Sequence, residues 1–285
     1  MTCSKRALTA TLSLTMLLAA CNPGSSSIPP RLTGYSVVTG ASATISADSA
    51  ATIGAACAPG TVVMGGGVGV SGTSTAVVRT SAPITGGTGW TVTVANVRII
   101  GGSITAVPMA VCADRPASYE IVTVNGGLNK QEVKSIEAVC PTAAHWATGV
   151  GVAGGEVRPF SQELIQQPAP ERVRAGGRNY LSLPGKSSFD VFAICADFAA
   201  LPKREIVLST SVSVGPGSSA RLTAACPPGK SVLHGAVGTL RDELTTIESM
   251  PASDGSSWNA TVYNSETVSG SLSSRLQVVC VQTAQ

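Results

Sequence analysis

Six cysteines carry the most regular chemistry in this chain. Cys57, Cys140 and Cys226 are each followed by a second cysteine, at Cys112, Cys195 and Cys280, after 55, 55 and 54 residues. Recurrent thiol pairs form disulfides or hold metal. No Cys-x-x-Cys occurs, and the two histidines, His145 and His234, are too few for a zinc site of mixed ligands. The spacing predicts the disulfides Cys57–Cys112, Cys140–Cys195 and Cys226–Cys280. Each closes a long loop and stabilises it by roughly 4 kcal/mol in the chain-entropy model. No metal and no cofactor is expected.

The next candidates share slots of the same ruler. Trp90 and Trp258 stand 22 residues before the second cysteine of their pairs, where the middle pair has Val173. A Trp on a β-surface can stack on a sugar ring, so both are candidate ligand contacts. A Trp can also fill a core, and the change to Val suits a core position better than a stacking site. Asn96, Asn179 and Asn264 stand 16 residues before the second cysteine. Asn tolerates turn geometry and bonds its own backbone, which makes a turn role the first expectation and ligand binding the second. The stretch 156–178 carries Glu156, Arg158, Glu163, Glu171, Arg172, Arg174 and Arg178. Mixed signs usually mark a solvated loop. Arg172, Arg174 and Arg178 are nevertheless the candidate contacts for an anion or a partner.

Catalytic signatures are weak by comparison. Neither histidine accompanies a Gly-x-Ser-x-Gly elbow. Glu171 and Asp190 are the carboxylates that could be nominated for glycoside hydrolysis, but no spacing singles out two acids. His-Glu-x-x-His, calcium-loop and phosphate-loop patterns do not occur. The expectation is a protein that is not an enzyme.

The elements that must position these residues repeat with the cysteines. Nine residues after each first cysteine stand Gly66, Gly149 and Gly235. Tyr35-Ser-Val-Val, Tyr119-Glu-Ile-Val and Arg204-Glu-Ile-Val open three units of about 80 residues. Their spans are 35–116, 117–201 and 202–285, and the middle one is the most divergent. Trp90-Thr-Val-Thr-Val-Ala-Asn96 and Trp258-Asn-Ala-Thr-Val-Tyr-Asn264 alternate with period two, as strands do. Residues 160–167 are the one stretch allowed a short helical turn. Charged residues make up 12% of the chain, and β-branched residues are abundant. That balance excludes a nucleic-acid partner and favours an all-β fold.

The N-terminus points to a compartment. Lys5 and Arg6 precede an apolar run from Ala7 to Leu18, too short to span a membrane. The ending Leu18-Ala19-Ala20-Cys21 resembles the lipobox of bacterial lipoproteins. That resemblance implies a signal peptide over 1–20, cleavage after Ala20 and acylation of Cys21, with palmitate as one of the chains. Two or more acyl chains anchor stably. With Cys3 lost and Cys21 lipidated, the remaining cysteines are those of the three pairs. Losing residues 1–20 also removes two cations and no acid from the formal charge of +3. Residues 21–34, rich in Pro, Gly and Ser, then form a lipidated flexible tether. By resemblance to enteric lipoproteins, Asn22 favours the outer membrane over the inner one.

The order of cysteine, Pro/Gly, strand into glycines, Asn, strand and cysteine, written three times, is similar to the vitelline membrane outer layer proteins. That similarity implies a β-prism in which three units pack around a pseudo-threefold axis. The alternative is three small β-sandwiches in tandem, although the immunoglobulin pattern is not met: no Tyr stands two residues before the second cysteines. The function expected is a lipid-anchored envelope protein with a binding or structural role, its ligand a glycan or another envelope protein. A cell-wall or glycan hydrolase is the first alternative. An inhibitor or receptor-like protein is the second, favoured if 156–178 projects as a prong.

Overall fold

A computed structural model describes residues 31–72, 76–97, 101–180, 185–239, 241–265 and 270–284. The signal segment, Cys21 and the tether up to residue 30 lie outside the described residues. The fold is all-β, with two single 3-10 turns at Thr85–Gly87 and Phe198–Ala200.

Each unit supplies seven strands in one order. Unit one has β1 (Ser36–Thr39), β2 (Ala43–Ile45), β3 (Ser49–Ala56), β4 (Thr61–Ser71), β5 (Ala76–Pro83), β6 (Gly89–Asn96) and β7 (Ile104–Asp114). Unit two has β8 (Glu120–Val124), β9 (Gly127–Leu128), β10 (Val133–Val139), β11 (His145–Gly154), β12 (Val157–Ile165), β13 (Arg172–Asn179) and β14 (Ser187–Asp197). Unit three has β15 (Glu205–Leu208), β16 (Val212–Val214), β17 (Ser219–Ala225), β18 (Lys230–Thr239), β19 (Leu244–Pro251), β20 (Ser257–Asn264) and β21 (Leu272–Gln282).

Every unit divides into two antiparallel ribbons. In unit one, β7 pairs β4 on one side and β1 and β2 on the other, while β6 lies between β3 and β5. Units two and three repeat this pairing around β14 and β13, and around β21 and β20. The disulfides join the ribbons within each unit: Cys57–Cys112, Cys140–Cys195 and Cys226–Cys280. The first cysteine follows the edge strand of the three-stranded ribbon, and the second lies in the central strand of the other.

The ribbons then continue across unit boundaries. β4 of unit one pairs β19 of unit three at Val68 and Ser249. β5 of unit one pairs β11 of unit two through Ser81–Val152 and Thr80–Ala153. β12 of unit two meets β18 of unit three through side chains: Thr239 N–H donates to Ser161 Oγ at 3.3 Å, and Thr239 Oγ1 donates to the Phe160 carbonyl at 3.2 Å. The tandem-sandwich alternative is therefore corrected, because two of the four sheets each run through two units and one core cluster holds Met64, Val150, Leu233 and Trp258 together. Short connections leave each unit's edge strands facing its neighbours; strand pairing joins β5 to β11 and β4 to β19 there, and side-chain hydrogen bonds join β12 to β18.

β4, β11 and β18 are buried almost end to end, which marks them as inner strands. Each carries a one-residue bulge where the glycine slot begins, at Val63/Gly65, Ala147/Gly149 and Val232/His234. Glycine is required just beyond: a Cβ at Gly66 would enter the Trp90 ring, and one at Gly235 the Trp258 ring. Two further expectations change. Phe160–Ile165 belongs to β12, so the helical turn is absent there. The charged stretch 156–178 is a strand pair rather than a loop or prong, because its arginines alternate with Val173 and Ala175 at the period of a strand with one face buried. The tether also ends earlier than expected: Leu32 is buried and donates its N–H to the Gln282 carbonyl at 3.0 Å.

Candidate functional sites

Trp90 and Trp258 are fully buried, the core placement that the change to Val173 in their slot favours, and their reading as sugar-stacking contacts is corrected. Each indole N–H donates to a serine nine residues upstream, Trp90 to Ser81 Oγ and Trp258 to Ser249 Oγ, both at 2.9 Å. A buried Trp needs such an acceptor. In unit two the Trp slot holds Val173 and the serine slot Leu164, which face each other across the ladder and are both buried. Donor and acceptor disappear together, so no polar atom is stranded.

The shared asparagines are likewise buried and are not exposed turn residues. Their amide nitrogens donate across to a second strand: Asn96 to the Ile45 carbonyl at 3.2 Å, Asn179 to Leu128 and Asn264 to Val214 at 2.9 Å each. Each bond fastens one ribbon of its unit to the other.

Where the three inner strands meet, His234 lies between the two tryptophans, its ring centroid 5.8 Å from Trp90 and 5.2 Å from Trp258. Complete burial pushes its pKa down to about 3, so the ring is neutral. Both ring nitrogens lack a hydrogen-bond partner among the described residues. His234 borders a cavity of about 30 Å³ lined by residues of all three units, including Ser81, Ser161 and Ser249. That volume admits one or two waters but no organic ligand.

Arg172, Arg174 and Arg178 lie on the outer face of β13. Glu137 of β10 sits 3.2 Å from Arg172 and 2.6 Å from Arg174, and Glu163 of β12 lies 3.8 Å from Arg174. Arg178 pairs with Asp242 of unit three, and this bond is the main cause that raises its pKa. The first two arginines thus satisfy acids of their own unit, while the third ties unit two to unit three. Glu171 lies apart from them, buried and bonded to Arg204 at 2.8 Å, inaccessible to a substrate.

Two surface hollows are large enough for part of a ligand. One, about 400 Å³, follows the seam between β12 and β18; Glu163, Ser211, Ser273, Arg275 and Gln277 line it. Gln277 Oε1 accepts the Leu164 N–H at 2.8 Å there. The other, about 260 Å³, lies where unit one meets unit two, lined by Val77, Arg79, Val97, Glu156, Arg158 and Tyr180. Arg79 and Glu156 form an ion pair across it at 3.4 Å. Tyr180 is 43% and Val97 50% exposed, unusual for large apolar groups here. Sequence reasoning missed Tyr180. Its signal was present: it follows the shared Asn179, where the other units have Val97 and Ser265.

Among the described residues, no group of three His, Cys, Asp or Glu side chains could hold a metal ion, and no helix is long and apolar enough to cross a membrane. No known family model matches the chain, and a search of curated proteins finds no significant similarity.

Proposed function

We propose that this chain is an exported bacterial lipoprotein, anchored by acylated Cys21 to the envelope, where it has a non-catalytic binding role with a glycan or another envelope protein as ligand. The outer membrane is its expected location. We read its three units as closed around a pseudo-threefold axis in a β-prism. The sequential contacts of unit one with two, two with three and three with one support that closure.

The observation that carries the binding role is the pair of polar hollows at unit junctions. Each combines hydroxyls or an aromatic ring with arginine and has one carboxylate in its lining, Glu163 in one and Glu156 in the other. A hydroxyl-rich ligand suits such linings. Glycoside hydrolysis uses two carboxylates across the scissile bond, and neither lining offers a pair.

Two experiments test the reading. Labelled palmitate fed to the producing bacterium is expected to enter the wild-type protein and not Cys21→Ser; a wild-type chain that stays unlabelled and water-soluble contradicts the anchor. A glycan array carrying neutral and acidic saccharides is expected to retain the mature domain, and an array with no retained spot removes glycans as the ligand class.

A further inference from the structure

The outer face of the unit-two sheet follows a charge rule with one exception. Arg174 stands directly opposite Glu137 on one neighbour and Glu163 on the other, the favourable arrangement of opposite charges. Four residues further along β13, at the end of the ladder away from the 166–171 connection, Arg158 stands directly opposite Arg178. Like charges so placed destabilise a ladder. The Tyr180 ring softens the contact, with the Arg158 guanidinium 4.2 Å and that of Arg178 5.0 Å from its centroid. Arg178 also has Asp242. Arg158 has no carboxylate in ion-pair range among the described residues; its Nη2 donates to the Tyr180 hydroxyl, and its Nε is buried without a hydrogen-bond partner. A surplus cation backed by an exposed aromatic ring therefore lines the hollow between units one and two.

We infer that this hollow, built on Arg158, Tyr180 and Val97, binds an anionic saccharide, with the carboxylate of a uronic acid on Arg158 and the apolar face of the sugar ring on Tyr180 and Val97. The proposal rests on the glycan reading above and names the site and the class. Planar guanidinium matches carboxylate geometry, while a sugar's C–H face covers exposed ring and valine. The Arg79–Glu156 pair leaves that wall neutral, so among the described residues the unbalanced charge in the hollow is Arg158. The hollow of about 260 Å³ takes one or two sugar rings of a longer chain.

Calorimetric titration of the full mature chain with a galacturonate tetrasaccharide, maltotetraose and inorganic phosphate tests this. The uronate is expected to bind at least tenfold more tightly than maltotetraose, and Arg158→Gln to weaken it at least tenfold, the scale of one charge-assisted bond. Tyr180→Ala is expected to weaken it similarly. Asp242→Asn, which frees Arg178, is expected to tighten it several-fold. Unchanged uronate affinity in Arg158→Gln, with native circular dichroism, overturns the site. Equal affinity for maltotetraose overturns the anionic class, and phosphate binding as tightly as the uronate overturns the saccharide. A chain that binds glycans on an array but ignores Arg158 leaves the glycan reading standing without this site; a chain that retains no glycan overturns both.

Discussion

The Arg204 guanidinium donates to both carboxylate oxygens of Glu171, at 3.1 and 2.8 Å, and to the Ala147 carbonyl at 2.7 Å. Its position opens unit three, as Tyr35 and Tyr119 open units one and two. Tyr35 donates to the Val232 carbonyl of unit three at 2.9 Å, and Tyr119 to the Val63 carbonyl of unit one at 2.7 Å. The first residue of each unit thus reaches into another unit, beside the bulge of that unit's inner strand. Against the two tyrosine rings stand Gly255 and Gly87, where a Cβ would strike the phenol. In unit two that slot is Pro170, followed by Glu171, so a phenol against glycine has been exchanged for an ion pair.

Burial makes this exchange sensitive to half-mutations. Burial lowers the Arg204 pKa, and Glu171 opposes that shift. Glu171→Ala is expected to cost about 3–5 kcal/mol in chemical denaturation, since it leaves a cation buried without its partner. Replacing both, as Glu171→Leu with Arg204→Met, is expected to restore most of that loss. A double variant as unstable as the single one would mean that the pair itself, rather than its desolvation balance, holds the junction.

Trp258→Ala is expected to cost about 3–5 kcal/mol by opening a cavity against Gly235 and His234. Ser249→Ala is expected to cost about 1–3 kcal/mol because the indole N–H loses its acceptor. Thermal melts distinguish these from a surface role, in which both changes would be nearly silent.

His234 gives a pH dependence whose sign follows from its environment. Its pKa falls from 6.5 to about 3 on burial, so between those values the unfolded chain binds a proton that the folded chain refuses. Stability contributed by the neutral ring is complete above pH 6.5 and is lost at about 1.4 kcal/mol per pH unit as pH falls toward 3. His234→Phe is expected to flatten this slope in denaturation measured from pH 7 to 4. An equal slope in the variant would place the acid sensitivity elsewhere.

Reduction of the disulfides is expected to destabilise all three units, by up to about 4 kcal/mol for each loop of this length. Because the ribbons are shared across units, Cys140→Ala with Cys195→Ala should shift one cooperative transition rather than melt unit two alone. Two separate transitions would contradict the shared core.

The repeat frame was legible because its cysteines, glycines and asparagines recur at fixed offsets and its strands alternate with period two. In the stretch 156–178 the density of mixed charge masks the strand signal: Arg172, Arg174 and Arg178 alternate with Val173 and Ala175 as a half-buried strand requires. The burial of the tryptophans is legible in the change to Val173 at their slot, whereas their contact with Gly66 and Gly235 depends on how the two ribbons of a unit pack. Tyr35, Tyr119 and Arg204 are legible as unit starts. Their reach into another unit is not legible, because it arises from packing between segments far apart in sequence. The Arg158–Arg178 opposition required the register of β12 against β13, which a bulge between Pro159 and Ser161 shifts by one residue.

The central claim, a binding protein that leaves its glycan intact, is tested most directly by recovering the ligand. The mature chain is incubated with an array-selected oligosaccharide, and the bound and free fractions are weighed by mass spectrometry. Saturable retention with every recovered chain at its original mass is the predicted result. Shortened products, or no saturable retention of any saccharide, would contradict it.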